Sequence, residues 1–219
     1  MNNLFKPAAY VALVLSSALL TLAPTVAQDH SQHKSGHENH ASHKNHTSMK
    51  AAKVSHSSSV YQVDAHWITH KGEHMTLADL QGQPVIVSMI YGSCTTACPV
   101  LVNDAKRLYT RLSDESKEQV KLVMVSFDNS RDTPKALADY VKQYNLNSDK
   151  WVFLHGEDQD IRTLATVLGV RYRKRPDGDF DHSNLITVLD ENGVIQHRVE
   201  GLGQPMDKAA KVIDKLIQQ

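Results

Sequence analysis

The chain has only two cysteines in 219 residues, Cys94 and Cys98. That is too few for a disulfide-framed scaffold, and a bridge across so short a loop adds little chain-entropy stabilisation. Lys plus Arg and Asp plus Glu number 24 each, giving a formal charge of zero. No basic stripe appears, which argues against a nucleic-acid partner. The apolar run at residues 8–23 falls short of the ~20 residues that a membrane-spanning helix needs. No cysteine follows directly on that run, which argues against a lipid-anchored form. Residues 28–59 are low in aromatic and large apolar side chains, so this stretch cannot bury enough surface to fold alone.

Histidine, by contrast, is abundant. Lys6, the apolar run and Thr25-Val26-Ala27 read as the charged region, core and cleavage site of a secretory signal over residues 1–27. Export is expected, most simply to a bacterial periplasm, with an uncleaved membrane anchor as the alternative. Cysteines in such a compartment become oxidised unless a dedicated reductant acts on them. Residues 28–59 are expected to form a disordered arm carrying His30, His33, His37, His40, His43 and His46. Imidazoles on such an arm suit weak auxiliary binding of copper, zinc or nickel; the plainer reading is a solubilising spacer. Residues 60–219 suit one domain in length.

The two cysteines stand in YGSCTTACPV, with three residues between them. An apolar run over residues 84–92 leads in, and Leu101, Ala105, Leu108 and Leu112 mark one face of a helix leading out. The pair thus sits on a strand-to-helix turn, with Pro99 in the first helical turn. Free N–H groups there favour a thiolate. Four-residue spacing near a helical turn brings side chains to about 5–6 Å, which suits a redox pair or a shared metal ion.

Further along, residues 60–76 read as a β-hairpin turning at Lys71-Gly72, with His66, His70 and His74 at its surface. Residues 121–128 read as a central strand, and Thr133-Pro134 as the start of a helix. Residues 151–156 form another strand, and a helix through Ile161, Leu164 and Leu168 closes at Gly169. Residues 170–173 extend a short strand. Two strands within residues 183–202 join at Glu191-Asn192-Gly193, and a closing helix follows Met206. Strands alternating with helices, then a hairpin, predict an α/β thioredoxin-like mixed sheet flanked by helices, with an N-terminal β-hairpin.

Three segments in order resemble the Sco (SenC/PrrC) family of exported copper-handling proteins: SCTTACPV, SFDNSRDTP and FDHSNLITVLDENG. Thr95 departs from the proline common after the family's first cysteine. The resemblance implies that Cys94, Cys98 and His182 converge on copper. Two soft thiolates suit Cu(I), and an added imidazole suits Cu(II) as well. Asp128, at a strand end, is a candidate for orienting a ligand; Arg131 and Asp132 read as local caps and ion pairs. His155 is a reserve ligand, whereas packing explains His197 and Met206 better.

Three functions follow. The first is a copper metallochaperone, whose recipient by resemblance is the binuclear copper site of a cytochrome c oxidase subunit. Contact with a membrane would come only through that partner. The second is a thiol-disulfide oxidoreductase, in which Cys94 attacks and Cys98 resolves, with an external thiol reductant. The third is a periplasmic metal buffer working through the histidine arm.

Overall fold

The computed structural model describes residues 47–54 and 58–219. The expected signal and the six arm histidines lie outside the described residues.

Nine strands and five α-helices are present among the described residues, with short 3-10 helices at Val60–Gln62 and Leu77–Leu80. They run β1 (Trp67–Thr69), β2 (His74–Met75), β3 (Val85–Ile90), α1 (Ala97–Thr110), α2 (Asp114–Gln119), β4 (Lys121–Ser126), α3 (Pro134–Gln143) and β5 (Trp151–Gly156). Then follow α4 (Asp158–Leu168), β6 (Tyr172–Lys174), β7 (Phe180–His182), β8 (Leu185–Leu189), β9 (Ile195–Glu200) and α5 (Asp207–Ile217). The main sheet has the order β2-β1-β5-β4-β3-β8-β9. Its centre, β3 to β5, is parallel; β1, β8 and β9 join antiparallel. All six residues of β3 are buried, as a strand covered on both faces requires. This is the expected mixed sheet flanked by helices.

Local signals act where the sequence puts them. The Thr133 hydroxyl accepts from Ala136 N–H, with Pro134 opening α3. Gly169 ends α4 in the left-handed region, at φ 75°. The N-terminal hairpin turns at Lys71-Gly72 as expected, but it is not separate: Trp67 pairs with Gly156, making β1 part of the main sheet. A Cβ at Gly156 would stand 2.5 Å from the Trp67 ring, so this contact requires glycine.

Two elements were not anticipated. Helix α2, DESKEQ, has no apolar periodicity; the Ser113 hydroxyl starts it by accepting from Ser116 N–H at 3.2 Å. Strand β7 pairs with β6 in a separate two-stranded ribbon, so His182 ends a strand of its own. His70 also departs from expectation. His66 and His74 are exposed, but His70 is 7% exposed and its Nδ1 accepts from Phe153 N–H at 3.2 Å.

Residues 47–54, within the stretch expected to be an arm, run against the domain. Ser48 forms a parallel bridge with His182. Met49 N–H donates to His182 O at 3.0 Å and Ala52 N–H to Gly169 O at 2.8 Å. Met49, Ala51, Ala52 and Val54 are partly buried there. Small and apolar residues among polar ones supply the surface for that seat. No helix of the described residues is long and apolar enough to cross a membrane.

Candidate metal centre

The centre is built where β3 ends and α1 begins. Ser93 and Thr95 at the turn are exposed, and Cys94 N–H donates back to Tyr91 O at 3.2 Å. The first helical turn presents its free N–H groups here: Cys98 N–H donates to Cys94 Sγ at 3.3 Å. Tyr91 N–H, at the end of the strand, donates to Cys98 Sγ at 3.5 Å. Both cysteines are buried and neither forms a disulfide, with Cys94 at 4% and Cys98 at 0% exposure.

The ribbon supplies the third group. His182 is buried, and its Nε2 lies 3.8 Å from Cys98 Sγ. Its Nδ1 lies 3.0 Å from Ser183 O. A carbonyl only accepts, so Nδ1 donates there, and Nε2 is the ring nitrogen that faces the sulfurs. Tyr91 and Phe127 wall the imidazole, with ring centres 5.8 and 5.2 Å away.

One Cys Sγ from each cysteine and one nitrogen of His182 lie within 4.8 Å of one another. Metal–sulfur and metal–nitrogen bonds of about 2.3 and 2.1 Å bring ligands of a shared ion within about 4.5 Å. The spread thus fits a shared ion after a small adjustment. The donor set, two sulfurs and one imidazole, suits a soft ion.

The two thiols differ electrostatically. Cys94 is pulled far below the ordinary thiol range, first by the Cys98 side chain, then by His182 and the N–H groups of Cys98 and Thr96, against its own burial. Cys98 is pushed well above that range by burial and then by Cys94. The arrangement is one thiolate beside one thiol. Burial, followed by the charge and hydrogen bond of Cys94, raises the Tyr91 phenol.

The carboxylates divide differently from expectation. Asp128 is buried but its carboxylate bonds Ser130 Oγ at 2.7 Å and the Arg131 guanidinium. The carboxylate under the cysteine turn is Asp132: its Oδ2 accepts from Gly92 N–H at 2.7 Å and from Ser126 Oγ at 2.5 Å. Burial raises its carboxyl above the usual range. His155 Nδ1 contacts Asp132 O at 2.9 Å, so it braces that loop. Arg131 lies over the Tyr91 and Phe180 rings. Met206 is fully buried and His197 half-buried, both outside the three-residue cluster. Reading the sequence alone missed Asp132 and Tyr91 as parts of the site; Tyr91's place as the last large side chain of the run before the turn was the available signal.

Fold and site together define a thioredoxin-like protein with a Cys-Cys-His metal centre. A family model described as SCO1/SenC matches residues 58–218, and the chain belongs to that family. It is similar to the SCO1 protein homolog of Bacillus subtilis, 29% identical over 60% of this chain and 69% of that one. It is also similar to a Stutzerimonas stutzeri protein named for copper binding, 26% identical over 55% of this chain and 59% of that protein's length. Among solved structures, Arabidopsis thaliana ScoI with copper bound superposes with a TM-score of 0.60 at 23% identity, over 70% of this chain and 96% of that one.

Proposed function

We propose that this protein is an exported metallochaperone that carries copper on Cys94, Cys98 and His182 and passes it to the binuclear copper site of a cytochrome c oxidase subunit. The observation that carries the reading is the convergence of two cysteine sulfurs and one imidazole nitrogen within 4.8 Å. Cu(I) prefers thiolate ligands, and with an imidazole the set also accommodates Cu(II). Similarity to copper-bound and copper-named relatives supports the metal. Cys94, favoured as a thiolate first by the Cys98 side chain and then by His182 and nearby N–H groups, is the first group able to take the ion. A three-coordinate ion leaves room for a recipient's ligand to attack, so release needs no unfolding. Export follows from the signal at residues 1–27, and the arm histidines would hold further copper weakly.

The test is a competitive Cu(I) titration of the reduced full chain against a chromophoric chelator. One tight equivalent is expected beyond the weak arm sites. Removing an outer-shell partner of a metal ligand typically costs 10–100-fold in affinity, so His182→Ala, which removes a ligand itself, should cost at least about 100-fold. Cys94→Ser should abolish the tight equivalent. A tight equivalent that survives Cys94→Ser sinks the three-ligand reading.

The thiolate–thiol pair favours a second reading, in which Cys94 attacks a partner's disulfide and Cys98 resolves the mixed disulfide. In that case His182→Ala leaves dithiol exchange with a model disulfide largely intact.

A further inference from the structure

Two of the three candidate ligands stand on firm ground, and the third does not. Cys98 lies in the first turn of the long helix α1, and Cys94 in the turn that leads into it. His182 ends β7, a strand of three residues whose partner β6 is equally short, in a ribbon outside the main sheet. An isolated two-stranded ribbon is marginally stable at best in water. The imidazole is anchored to the segment that follows, through Nδ1 and Ser183 O at 3.0 Å. The backbone of residues 182–184 therefore sets where Nε2 stands. Part of that backbone is held by Arg171: Ser183 N–H donates to Arg171 O at 2.8 Å, and Arg171 N–H to Ser183 Oγ at 2.9 Å.

The rest is held by residues 47–49. Thr47 N–H bonds the Asp181 carboxylate, Ser48 forms a parallel bridge with His182, and Met49 N–H donates to His182 O at 3.0 Å. Asn184, which is buried, donates through Nδ2 to Ser48 Oγ at 3.1 Å. One peptide unit is thus pinned at both of its polar groups, Ser183 N–H by Arg171 and His182 O by Met49. The stretch is itself moored further on, where Ala52 N–H donates to Gly169 O at 2.8 Å and Arg198 Nη1 to Ala52 O at 3.0 Å. We propose that residues 47–49 are a positioning element of the metal centre, a third strand laid along β7. The Met49 N–H and the Ser48–Asn184 pair hold the His182 imidazole against the two sulfurs. This rests on the copper reading above.

The physical argument turns on tolerance. Binding constellations need their donors held within about 0.5 Å of the productive geometry. With the strap unseated, β7 keeps only its short pairing with β6, and Nε2 drifts beyond that range. Cys94 and Cys98, built on β3 and α1, stay where they are. Losing the strap therefore acts as a partial loss of His182 alone. Affinity falls, and the two-sulfur site remains.

The experiment is a Cu(I) titration against a chromophoric chelator, on the reduced full chain, arranged as a double-mutant cycle. Met49→Pro, which has no N–H to give His182, is compared with the parent, alone and combined with His182→Ala. Outer-shell partners of a metal ligand are typically worth 10–100-fold in affinity, and a brace on the backbone belongs at the lower end, so a loss of about 10-fold is expected. The conservative Met49→Ala keeps the N–H and is expected to match the parent. Combined with His182→Ala, Met49→Pro is expected to cost nothing further, because the brace then has no imidazole to hold. Ser48→Ala, which removes the acceptor of Asn184, runs through the same cycle, with a smaller loss that again vanishes with His182→Ala. Parental affinity in a folded Met49→Pro chain (or in Ser48→Ala, should the proline unfold the protein) overturns the positioning role. So does an equal loss with and without His182, or a loss in Met49→Ala as large as in Met49→Pro; each leaves the copper reading intact. A parent chain with no tight equivalent overturns the copper reading and this inference with it.

Discussion

Replacing Asp132 by alanine removes the acceptor of one buried and one half-buried hydrogen bond, each with its own cost. Gly92 N–H, which donates to Oδ2 at 2.7 Å, loses its partner beneath the cysteine turn; a buried unsatisfied donor costs about 1–3 kcal/mol, which is an upper bound for this half-buried group. Ser126 Oγ also loses its bond to Oδ2 but continues to accept from Asp128 N–H, so its loss is about 1 kcal/mol. The total of about 2–4 kcal/mol is large beside the 5–15 kcal/mol stability of a typical domain, yet compatible with folding. At this chain length it lowers Tm by about 4–16 °C. Both bonds end on one oxygen, so Asp132→Asn can keep both with its carbonyl oxygen while shedding a buried charge. It should stay within about 1 kcal/mol of the parent. Thermal unfolding of the three proteins by circular dichroism decides the matter. Asn and Ala variants with the same Tm, or an Ala variant within 1 °C of the parent, would refute the assignment of Asp132 as the brace of the turn.

Burial, then the Lys71 charge, lowers the His70 pKa, against smaller opposing contributions. Because the unfolded chain then binds more protons, the stabilisation is present above about pH 6.5 and is lost as pH falls through the folded value. His70→Asn retains an acceptor for Phe153 N–H, so its denaturation midpoint should drop less than the parent's between pH 7 and pH 5; an unchanged difference contradicts this. Gly156→Ala would place a Cβ 2.5 Å from the Trp67 ring. It should cost about 1–3 kcal/mol and shift Trp67 fluorescence, and a neutral outcome would show that β1 repacks freely.

The sequence was most informative where physics is local. The strand-turn-helix around Cys94 and Cys98 is written in consecutive residues, as are the Thr133-Pro134 helix start and the Lys71-Gly72 turn. His182 is different. It stands 84 positions from Cys98, and only the family resemblance put the two together, since no periodicity links a sulfur on a helix to an imidazole on a ribbon. Strand β7 was missed because Phe180-Asp181-His182 is buried throughout, with Asp181 tolerated there through its ion pair with Arg173 at 2.7 Å. That pairing depends on β6 and leaves no alternation to read. Asp132 and Asp128 look alike in SFDNSRDTP; the 2.7 Å approach of Gly92, forty positions away, separates them.

The seven-stranded sheet has two hydrogen-bonding rims, and neither is a long open template. One ends in β2, only two residues long. The other, β9, is shielded: Ala51 and Ala52 bond to the side chains of Glu200 and Arg198, and Ser59 bridges the neighbouring Val194. Uncovered strand rims recruit further chains and start aggregates. The short stretch whose Met49 N–H bonds the His182 carbonyl therefore also lies, with Ser59, along the outer side of β9. A chain cut back to Val60 loses these contacts, and we predict that it elutes as larger species than the full chain in size-exclusion chromatography; equal elution would refute the shielding.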